Sequence, residues 1–512
     1  MFIKHWIAVA ITCATQVAAA QAPTVDATRI SEIVKTLASD EFEGRAPGTP
    51  GEEKTVRFVS ESLRSMGIEP GGQQGAWAQE VPIVRTQIGR PSTFSIASPK
   101  QQRTLVQGRE VYVSSLQKLS PVVIDKAPIV FVGYGITAPE RDWDDFKNID
   151  LRGKVAVFLV NDPDFAALPN EAVVGKFGDR RMTYYGRWTY KFDEAARRGA
   201  IAALIVHETE GAGYGWDTVV APGGENYDLA RTTNPRLQLQ GWLEGQAAAA
   251  LLKAEGLDLA SLRTSARRSD FKPVELANAK FSAHAPLTVV ESVSRNVLGK
   301  ITGSQRADES VMFSAHWDAY GVGAPDAQGR RVRPGANDDA LGVAGVLELA
   351  RVFANSPKPQ RTMVFALWTA EERGLLGSEA YAAEPIYPLA KTAANLTLDI
   401  LQTAGPSRDV LLVGAGQSSL EDDLTRAAAR QQRVITPEAL PERGLFYRAD
   451  HFSLAKRGVP VLLNMALAGA YDLQAGGREA GERWLSDFTA NCYLQACDQW
   501  LPSWDLRGAV QE

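Results

Sequence analysis

Apolar residues follow two different periods along this chain, and the periods separate predicted helices from predicted strands. Between Glu52 and Met66 they recur every three or four positions, which predicts an amphipathic helix that stops at Gly67. From about residue 122 the pattern changes to short runs rich in Val, Ile and Phe, as at 127–135 and 153–160. Such runs, bounded by glycine, indicate buried strands.

From about residue 285 strand-like runs alternate with helical segments. The periodicity predicts helices over 343–353 and 420–430, and strands over 362–368 and 459–463. This alternation predicts an α/β fold, in which a mixed, largely parallel sheet is covered by helices on both faces. In such sheets the working residues gather at the carboxyl ends of the strands.

The β-rich stretch divides the chain. We predict a catalytic domain built from residues 23–121 and 285–512, interrupted by an insert domain over 122–284. The insert pattern resembles the protease-associated domain found in several exported peptidases. The alternative is an ordinary α/β segment of the main domain.

The first residues have the features of a secretory signal peptide. Lys4 gives a positive start, the segment from Trp6 to Ala20 is apolar or small but too short to span a bilayer, and small residues offer cleavage near Ala20 or Ala22. We therefore predict a signal peptide over residues 1–22 and an exported protein, periplasmic or secreted. The alternative is a buried N-terminal helix. No later stretch predicts a membrane span.

Composition limits the classes of function. Removing the signal peptide leaves roughly 490 residues, too many for a single core. The net charge is −5, with Lys and Arg scattered, which argues against a nucleic-acid partner. The exported chain keeps Cys492 and Cys497, whose surroundings look helical and place the two thiols poorly for a bond. The sequence leaves them free or bridged, and it leaves the oligomeric state open.

Candidate metal ligands follow the strand-like runs. Histidine is scarce, with five in 512 residues, yet two of them lie beside acidic residues. Imidazole and carboxylate together are a ligand set that zinc accepts. The candidate segments are His316-Trp317-Asp318, Gly335-Ala336-Asn337-Asp338-Asp339, Glu371-Glu372, Asp399 and Asp450-His451.

Taken in order, these segments resemble the co-catalytic di-zinc aminopeptidases of clan MH, which include bacterial leucyl aminopeptidase and glutamate carboxypeptidase II. The resemblance covers 52–66 and 285–465. It implies two zinc ions per chain, bridged by Asp338. His316 and Asp399 would complete one site, and Glu372 and His451 the other.

The resemblance also implies roles beside the metals. Glu371 would be the general base that takes a proton from a metal-bridging water and passes it to the leaving amine, and Asp318 would accept the other ring N–H of His316. The Asp338-Asp339 peptide bond would be cis. Alone, each motif has a simpler interpretation: Asp450, for example, could be a helix N-cap. His207 and His284 match nothing in the pattern and are predicted to be structural or surface residues.

We therefore expect an exported zinc aminopeptidase that acts on peptides with a free N-terminus. A carboxypeptidase or dipeptidase on the same scaffold is the alternative, because Arg330, Arg331 and Arg333 could recognise a carboxylate. Glutaminyl cyclase, a relative with one zinc, is disfavoured because both His316 and Asp399 are present. A non-catalytic, transferrin-receptor-like binding protein is the rival from another class, disfavoured because every expected ligand type is present.

Overall fold

Two eight-stranded sheets organise residues 24–99 and 102–512, which are the residues described by the computed structural model. The predicted signal peptide, with His5, lies outside the described residues. The first sheet has the strand order Glu225–Leu229, Ala78–Ile88, Leu287–Ile301, Arg361–Trp368, Arg306–His316, Thr392–Leu398, Val461–Asn464, and Glu69–Pro70 pairs with Leu287–Ile301.

The first sheet has a parallel half and an antiparallel half. The four strands from Arg361–Trp368 to Val461–Asn464 run parallel, whereas Leu287–Ile301 is antiparallel to its neighbours on either side. The predicted α/β class with a mixed sheet is therefore confirmed. The parallel half places four carboxyl ends at one edge, which is the edge that carries the candidate ligands.

Helices cover both faces of this sheet. Along the strand Arg361–Trp368, Met363, Phe365 and Leu367 belong to one buried core, while the alternate residues belong to a second core on the opposite face. Burial on both faces explains why 362–368 is a continuous apolar run.

The helices of the described residues, around both sheets, span Ala27–Leu37, Pro50–Ser65, Trp188–Arg197, Thr209–Ala212, Trp216–Val220, Gly245–Ala254, Leu259–Ala266, Leu341–Ala354, Leu376–Ala383, Leu420–Arg430, His451–Ala455, Gly477–Asp487 and Arg507–Gln511.

The second sheet lies mostly within the predicted insert. Its strands, in order across the sheet, are Gln102–Leu105, Thr93–Ala97, Val274–Ala285, Val122–Phe131, Val155–Leu159, Ala202–Val206, Leu239–Leu243 and Val111–Ser114. Three of these strands precede residue 122, and Glu225–Leu229, within the predicted insert, pairs with the first sheet. The division into two domains stays a prediction.

A segment of the insert packs against the loop that leads into the helix His451–Ala455. The backbone N–H of Met182 donates to the carbonyl of Pro441 at 3.1 Å, and the rings of Tyr184 and Phe452 lie 5.2 Å apart. The insert therefore borders the edge of the first sheet where the candidate ligands lie.

None of the described helices is both long and apolar enough to span a membrane.

The two remaining cysteines form a disulfide, with Cα atoms 5.0 Å apart. The interpretation of their surroundings as helical is wrong. The helix Gly477–Asp487 continues only through the wide turn Phe488–Cys492, and Leu494 then has a positive φ of 63°. The chain therefore leaves the helical path between Cys492 and Cys497, which lets the two sulfur atoms meet.

Candidate metal centre

The sheet brings candidate residues from separate strands to one edge. His316 is the last residue of its strand, Asp399 directly follows the strand Thr392–Leu398, and Glu371 follows Arg361–Trp368 after two residues. Because these strands are parallel neighbours, their carboxyl ends lie side by side. Asp338 reaches the same place from the turn Ala336–Ala340, which precedes the helix Leu341–Ala354.

His316 presents one free ring nitrogen to this cluster. Its Nε2 atom lies 3.2 Å from Oδ1 of Asp338 and 4.0 Å from Oδ1 of Asp399, and the side chain is buried. Within the described chain Nε2 has no hydrogen-bond partner. The other nitrogen, Nδ1, donates to the carbonyl of Asp318 at 3.0 Å, which leaves a lone pair on Nε2.

His316, Asp338 and Asp399 fit a metal ion. Each offers one ligand atom, and the three atoms lie within 4.8 Å of one another, the only such group of three or more found among the described residues. Imidazole and carboxylate are both zinc ligands, and three protein ligands leave a coordination position open. An orphaned, buried imidazole nitrogen beside two carboxylates is the arrangement that a divalent cation would complete.

The turn carrying Asp338 is held from both sides. The carboxylate of Asp498 accepts the backbone N–H groups of Asn337 and Asp338 at 2.9 and 3.0 Å. Asp339 accepts the N–H of His316 at 3.2 Å, which ties the turn to the strand end. The Asp338-Asp339 peptide bond is cis, as the resemblance implies.

Arg45 joins the entry segment to the same turn. Its guanidinium is fully buried and donates to the carbonyls of Trp317, Pro334 and Gly335 and to that of Leu37. Burial lowers the pKa of Arg45 to about 10, and the charges of Asp498 and Asp318 oppose that change. Arg45 stays protonated at neutral pH and offsets part of the negative charge.

Asp318 orients two other residues. It accepts the ring N–H of His316 through its backbone carbonyl at 3.0 Å, while the carboxylate oxygen Oδ1 is 3.6 Å from Nδ1. That oxygen accepts the backbone N–H of Glu371 at 3.0 Å. Oε2 of Glu371 lies 3.9 Å from Nε2 of His316, so its carboxylate is at the cluster.

The cluster is strongly acidic. Burial, together with the charges of Asp399 and Glu372, raises the pKa of Glu371 well above its usual range, although His316 opposes the shift. Burial likewise raises the pKa of Asp399 to about 7 and that of Asp450 to about 7. Carboxylates crowded in a low-dielectric site bind either protons or cations, so the site attracts a metal ion.

His451, predicted as a ligand of the second zinc, lies at the start of the helix His451–Ala455. The His451 ring is buried edge-on against Phe446, with ring centroids 4.9 Å apart, and neither ring nitrogen has a partner in the described structure. Burial lowers its pKa to about 3. Asp450 is buried beside it, and the charges of His316 and Asp399 act on its carboxylate.

Sequence reasoning missed three polar residues beside the cluster. The charges of Glu371 and Asp399 act on the guanidinium of Arg448, which makes no hydrogen bond or ion pair within the described residues. The hydroxyls of Tyr493 and Tyr320 lie near Asp338 and Glu372, whose charges, together with burial, raise the pKa of both tyrosines. Arg448 is two residues from Asp450, but nothing in the local spacing marks either tyrosine.

The remaining candidates lie elsewhere. His207 contacts the carbonyl of Tyr214 at 3.0 Å and packs on tryptophan rings inside the second sheet's domain, and His284 is exposed on the strand Val274–Ala285. Arg330 pairs with Asp326 at 2.7 Å. Both histidines have the structural or surface character that the sequence predicts.

The three-ligand group lies at the carboxyl edge of a mixed α/β sheet with the carboxylate of Glu371 beside it, an arrangement that suits metal-assisted hydrolysis. Residues 296–511 match the sequence profile of Peptidase family M28. The predicted resemblance to clan MH peptidases, and with it the expectation of an enzyme, is confirmed.

Relatives share shorter stretches. The chain is 39% identical over 105 residues to a probable zinc metalloprotease of Pyrenophora teres f. teres, covering 20% of this chain and 22% of the relative. It is 37% identical over 114 residues to the probable lipoprotein aminopeptidase LpqL of Mycobacterium tuberculosis, covering 22% and 21%. A glutamate carboxypeptidase 2 homolog of Caenorhabditis elegans is 34% identical over 109 residues, covering 21% and 13%. The chain thus spans less than a quarter of each relative.

Among solved structures, an aminopeptidase from Aneurinibacillus sp. strain AM-1 is similar with 21% identity and a TM-score of 0.49, covering 93% of this chain and 89% of that one. A zinc aminopeptidase from Bacillus subtilis is similar with 16% identity and a TM-score of 0.44, covering 94% and 91%.

Proposed function

We propose that this protein is a zinc-dependent aminopeptidase that hydrolyses the N-terminal residue from peptides. One observation carries the proposal: the orphaned Nε2 of His316 lies among Asp338, Asp399 and Glu371, within 4.0 Å of an oxygen of each. When bound, zinc polarises a carbonyl and makes water more acidic. The remaining steps of the proposed reaction are carried out by side chains of the site.

Glu371 is placed to move the proton. Its carboxylate is at the cluster but is not a member of the three-ligand group, and its backbone is held by Asp318. Burial raises its pKa above the usual range, which makes it a stronger base than an exposed carboxylate. In the proposed reaction Glu371 takes a proton from the attacking water and donates it to the nitrogen of the leaving amine.

Arg448 is placed to meet negative charge on the substrate. Its side chain is half-buried, the charges of Glu371, Asp399 and the insert residue Tyr214 act on its guanidinium, and no hydrogen bond from that guanidinium is found among the described residues. A guanidinium at that position stabilises the oxygen of the scissile carbonyl as negative charge develops there. This role requires its donors to be free.

The acidic character of the site favours a substrate with a free amine. A protonated amine is attracted to a cluster in which carboxylates outnumber guanidinium groups. The insert segment that packs on the loop before His451 narrows access, which favours short peptides over folded proteins. A carboxypeptidase or dipeptidase is the second candidate, because Arg448 could instead bind the C-terminal carboxylate of a substrate.

The proposal has two further parts, which are export and a second zinc ion. Export to the periplasm or the medium depends on the N-terminal sequence alone. A second zinc ion, held by Asp338, Glu372 and His451, depends on the resemblance; both ring nitrogens of His451 are buried without a hydrogen-bond partner in the described structure.

The test compares two forms of one substrate. An aminoacyl anilide with a free amine and its N-acetylated form are assayed with zinc-loaded protein. We expect kcat/KM to fall roughly 10³-fold or more on acetylation, because the polar groups of the site then have no free amine to pair with. Equal values for the two forms would reject the aminopeptidase and favour the carboxypeptidase. The same assay with chelator-treated protein measures the background.

A further inference from the structure

A series of buried hydrogen bonds connects the helix Pro50–Ser65 to the strand end that precedes Glu371. Glu52 lies in the first turn of this helix and is only 2% exposed. We propose that Glu52 is a positioning residue for Glu371. It acts through two buried hydroxyl groups, those of Ser294 and Thr369. The proposal deepens the proposed function and rests on it, because it concerns the residue that moves the proton in the proposed reaction.

The hydrogen bonds in this series have a fixed direction. The hydroxyl of Ser294 donates to Oε2 of Glu52 at 2.9 Å, and its oxygen lies 2.5 Å from the hydroxyl oxygen of Thr369. A serine hydroxyl has a single proton to donate. Because Ser294 donates that proton to Glu52, Thr369 is the donor and Ser294 the acceptor in the second bond. The carboxylate of Glu52 therefore determines how the hydroxyl of Thr369 is oriented.

The carboxylate of Glu52 is itself held in place. Its Oε2 atom also accepts the backbone N–H of Gly48 at 2.6 Å, while Oε1 lies 3.7 Å from the guanidinium of Arg295. Arg295 pairs more closely with the exposed carboxylate of Glu53, at 2.8 Å. Glu52 is thus a fixed, buried acceptor for two donors, and its neighbour Glu53 takes the surface ion pair.

Thr369 is held through each of its polar groups. Its backbone N–H donates to Oδ1 of Asn296 at 3.0 Å, and its carbonyl accepts the N–H of Gly377 at 2.9 Å. The side-chain amide of Asn296 in turn donates to Oε1 of Gln79 and to the carbonyl of Gly377. The hydroxyl bonded to Ser294 is the third contact. Together these bonds fix the backbone directly after the strand end.

The conformation of the next residue explains why this support matters. Ala370 has a φ of 52°, in the left-handed region that residues other than glycine seldom adopt and that persists only where the surroundings impose it. Its side chain is buried, and its carbonyl accepts the N–H of Leu376 at 3.1 Å. The backbone angles of Ala370 set the direction of Glu371. Loosening Thr369 therefore lets Ala370 relax and moves the carboxylate of Glu371 from its position beside His316.

The first experiment measures the rates of variants at Glu52. Glu52→Leu removes the acceptor, whereas Glu52→Gln keeps an oxygen that can accept the same two donors. With zinc-loaded protein and a hydrolysed aminoacyl anilide, we expect kcat of Glu52→Leu to fall roughly 10- to 100-fold, the effect of a misplaced reacting group, with little change in KM. Glu52→Gln should keep most of the wild-type kcat. An unchanged kcat in Glu52→Leu would overturn the proposal.

A smaller substitution keeps the test decisive if Glu52→Leu folds poorly. Ser294→Ala removes one hydroxyl from the middle of the series and should produce the same selective loss of kcat. Glu53→Leu, the same substitution at the exposed neighbour, is the matched control and should behave as the wild type. Zinc content and melting temperature, measured on each preparation, show that the variants are loaded and folded. Folded Ser294→Ala protein with a normal kcat would contradict the proposal.

A double-mutant cycle separates positioning from a general structural effect. If the series acts through Glu371, Ser294→Ala should lower kcat in the wild type but have little effect in Glu371→Gln, where the base is already absent. Equal losses in both backgrounds would overturn this inference and leave the proposed function standing. A Glu371→Gln variant with wild-type kcat would instead reject Glu371 as the base, and this inference with it. The cycle needs only a hydrolysed substrate, so it does not depend on the preference for a free amine.

Discussion

The backbone carbonyl of Asp318 lies 3.0 Å from Nδ1 of His316, while the carboxylate of Asp318 accepts the backbone N–H of Glu371 at 3.0 Å. One residue thus orients both a metal ligand and the proposed base, through different atoms. Substituting its side chain should separate the two effects.

We expect Asp318→Ala to keep zinc and to lose rate. The carbonyl that fixes His316 is retained in this variant, whereas the acceptor for the N–H of Glu371 is lost. Zinc affinity should fall by about 10-fold, the low end for a lost outer-shell partner, and kcat should fall by more. Asp318→Asn, which keeps an oxygen acceptor, is the matched control and should have the higher kcat. Loss of zinc from both variants would show that the carboxylate, not the carbonyl, orients His316.

Replacing the proposed base should leave the metal in place. Glu371→Gln keeps the side-chain volume but removes the proton acceptor, so kcat should fall by about 10² or more. Zinc content, measured on the same preparation, should equal that of the wild type. A variant with normal kcat would exclude Glu371 as the base, and one without zinc would make it a ligand.

Metal removal should abolish activity without unfolding the chain. The buried cores on both faces of the first sheet do not include the metal ligands, so the fold does not require the ion. Chelated protein should keep its circular dichroism spectrum, melt at a lower temperature because zinc binds only the folded state, and recover activity when zinc returns. Asp399→Asn should not recover. Unfolding on chelation would show that the metal is structural as well.

A buried carboxyl group in the insert should make stability depend on pH. Burial raises the pKa of Asp145 from 3.8 to about 7, although it accepts N–H groups from Ile136 and Trp143. The folded chain therefore keeps a proton that the unfolded chain releases, and the resulting stability is complete below 3.8 and lost as the pH rises through about 7. From pH 5.5 to 8 this group should cost about 2 kcal/mol of unfolding free energy.

Asp145→Asn provides the comparison. Urea unfolding of both proteins, monitored at several pH values, should show a smaller loss of stability with rising pH in the variant. Parallel pH profiles would mean that Asp145 titrates alike in the folded and unfolded chains.

The disulfide should matter for both stability and rate. The disulfide closes the loop that carries Tyr493, and Asp498 directly follows Cys497. A double Cys492→Ser, Cys497→Ser variant should lose about 2 kcal/mol of stability, the value for so short a loop. It should also have a lower kcat/KM, because both ends of the loop reach the site. A reductant should reproduce these changes in the wild type and leave the variant unchanged.

The periodic elements were predictable from the sequence, because their signals are local. The helix Leu420–Arg430 matches its apolar spacing, and the strand Arg361–Trp368 matches an apolar run that is buried on both faces. The ligand group of His316, Asp338 and Asp399 was also predictable from the sequence, because the candidate ligands follow strand-like runs. These features need no knowledge of how distant segments pair.

Other features depend on the direction of single side chains or on distant pairing. Asp450 and His451 are adjacent at the start of the helix His451–Ala455, and spacing alone cannot assign a role to each side chain. Glu225–Leu229 joins the first sheet by pairing with Ala78–Ile88, a contact between segments about 140 residues apart that leaves no local signal. The tyrosines beside Glu372 have no motif for the same reason.

Arg45 has a practical consequence for anyone who divides this chain. It lies some 250 residues before residues 296–511, the part that matches the family profile, yet it is the buried donor to the carbonyls of Trp317, Pro334 and Gly335. A fragment beginning at residue 296 would leave these acceptors unsatisfied and would lack the strand Ala78–Ile88. The smallest fragment worth expressing therefore combines two separate stretches of sequence. A boundary taken from the profile match alone would leave out the first of them.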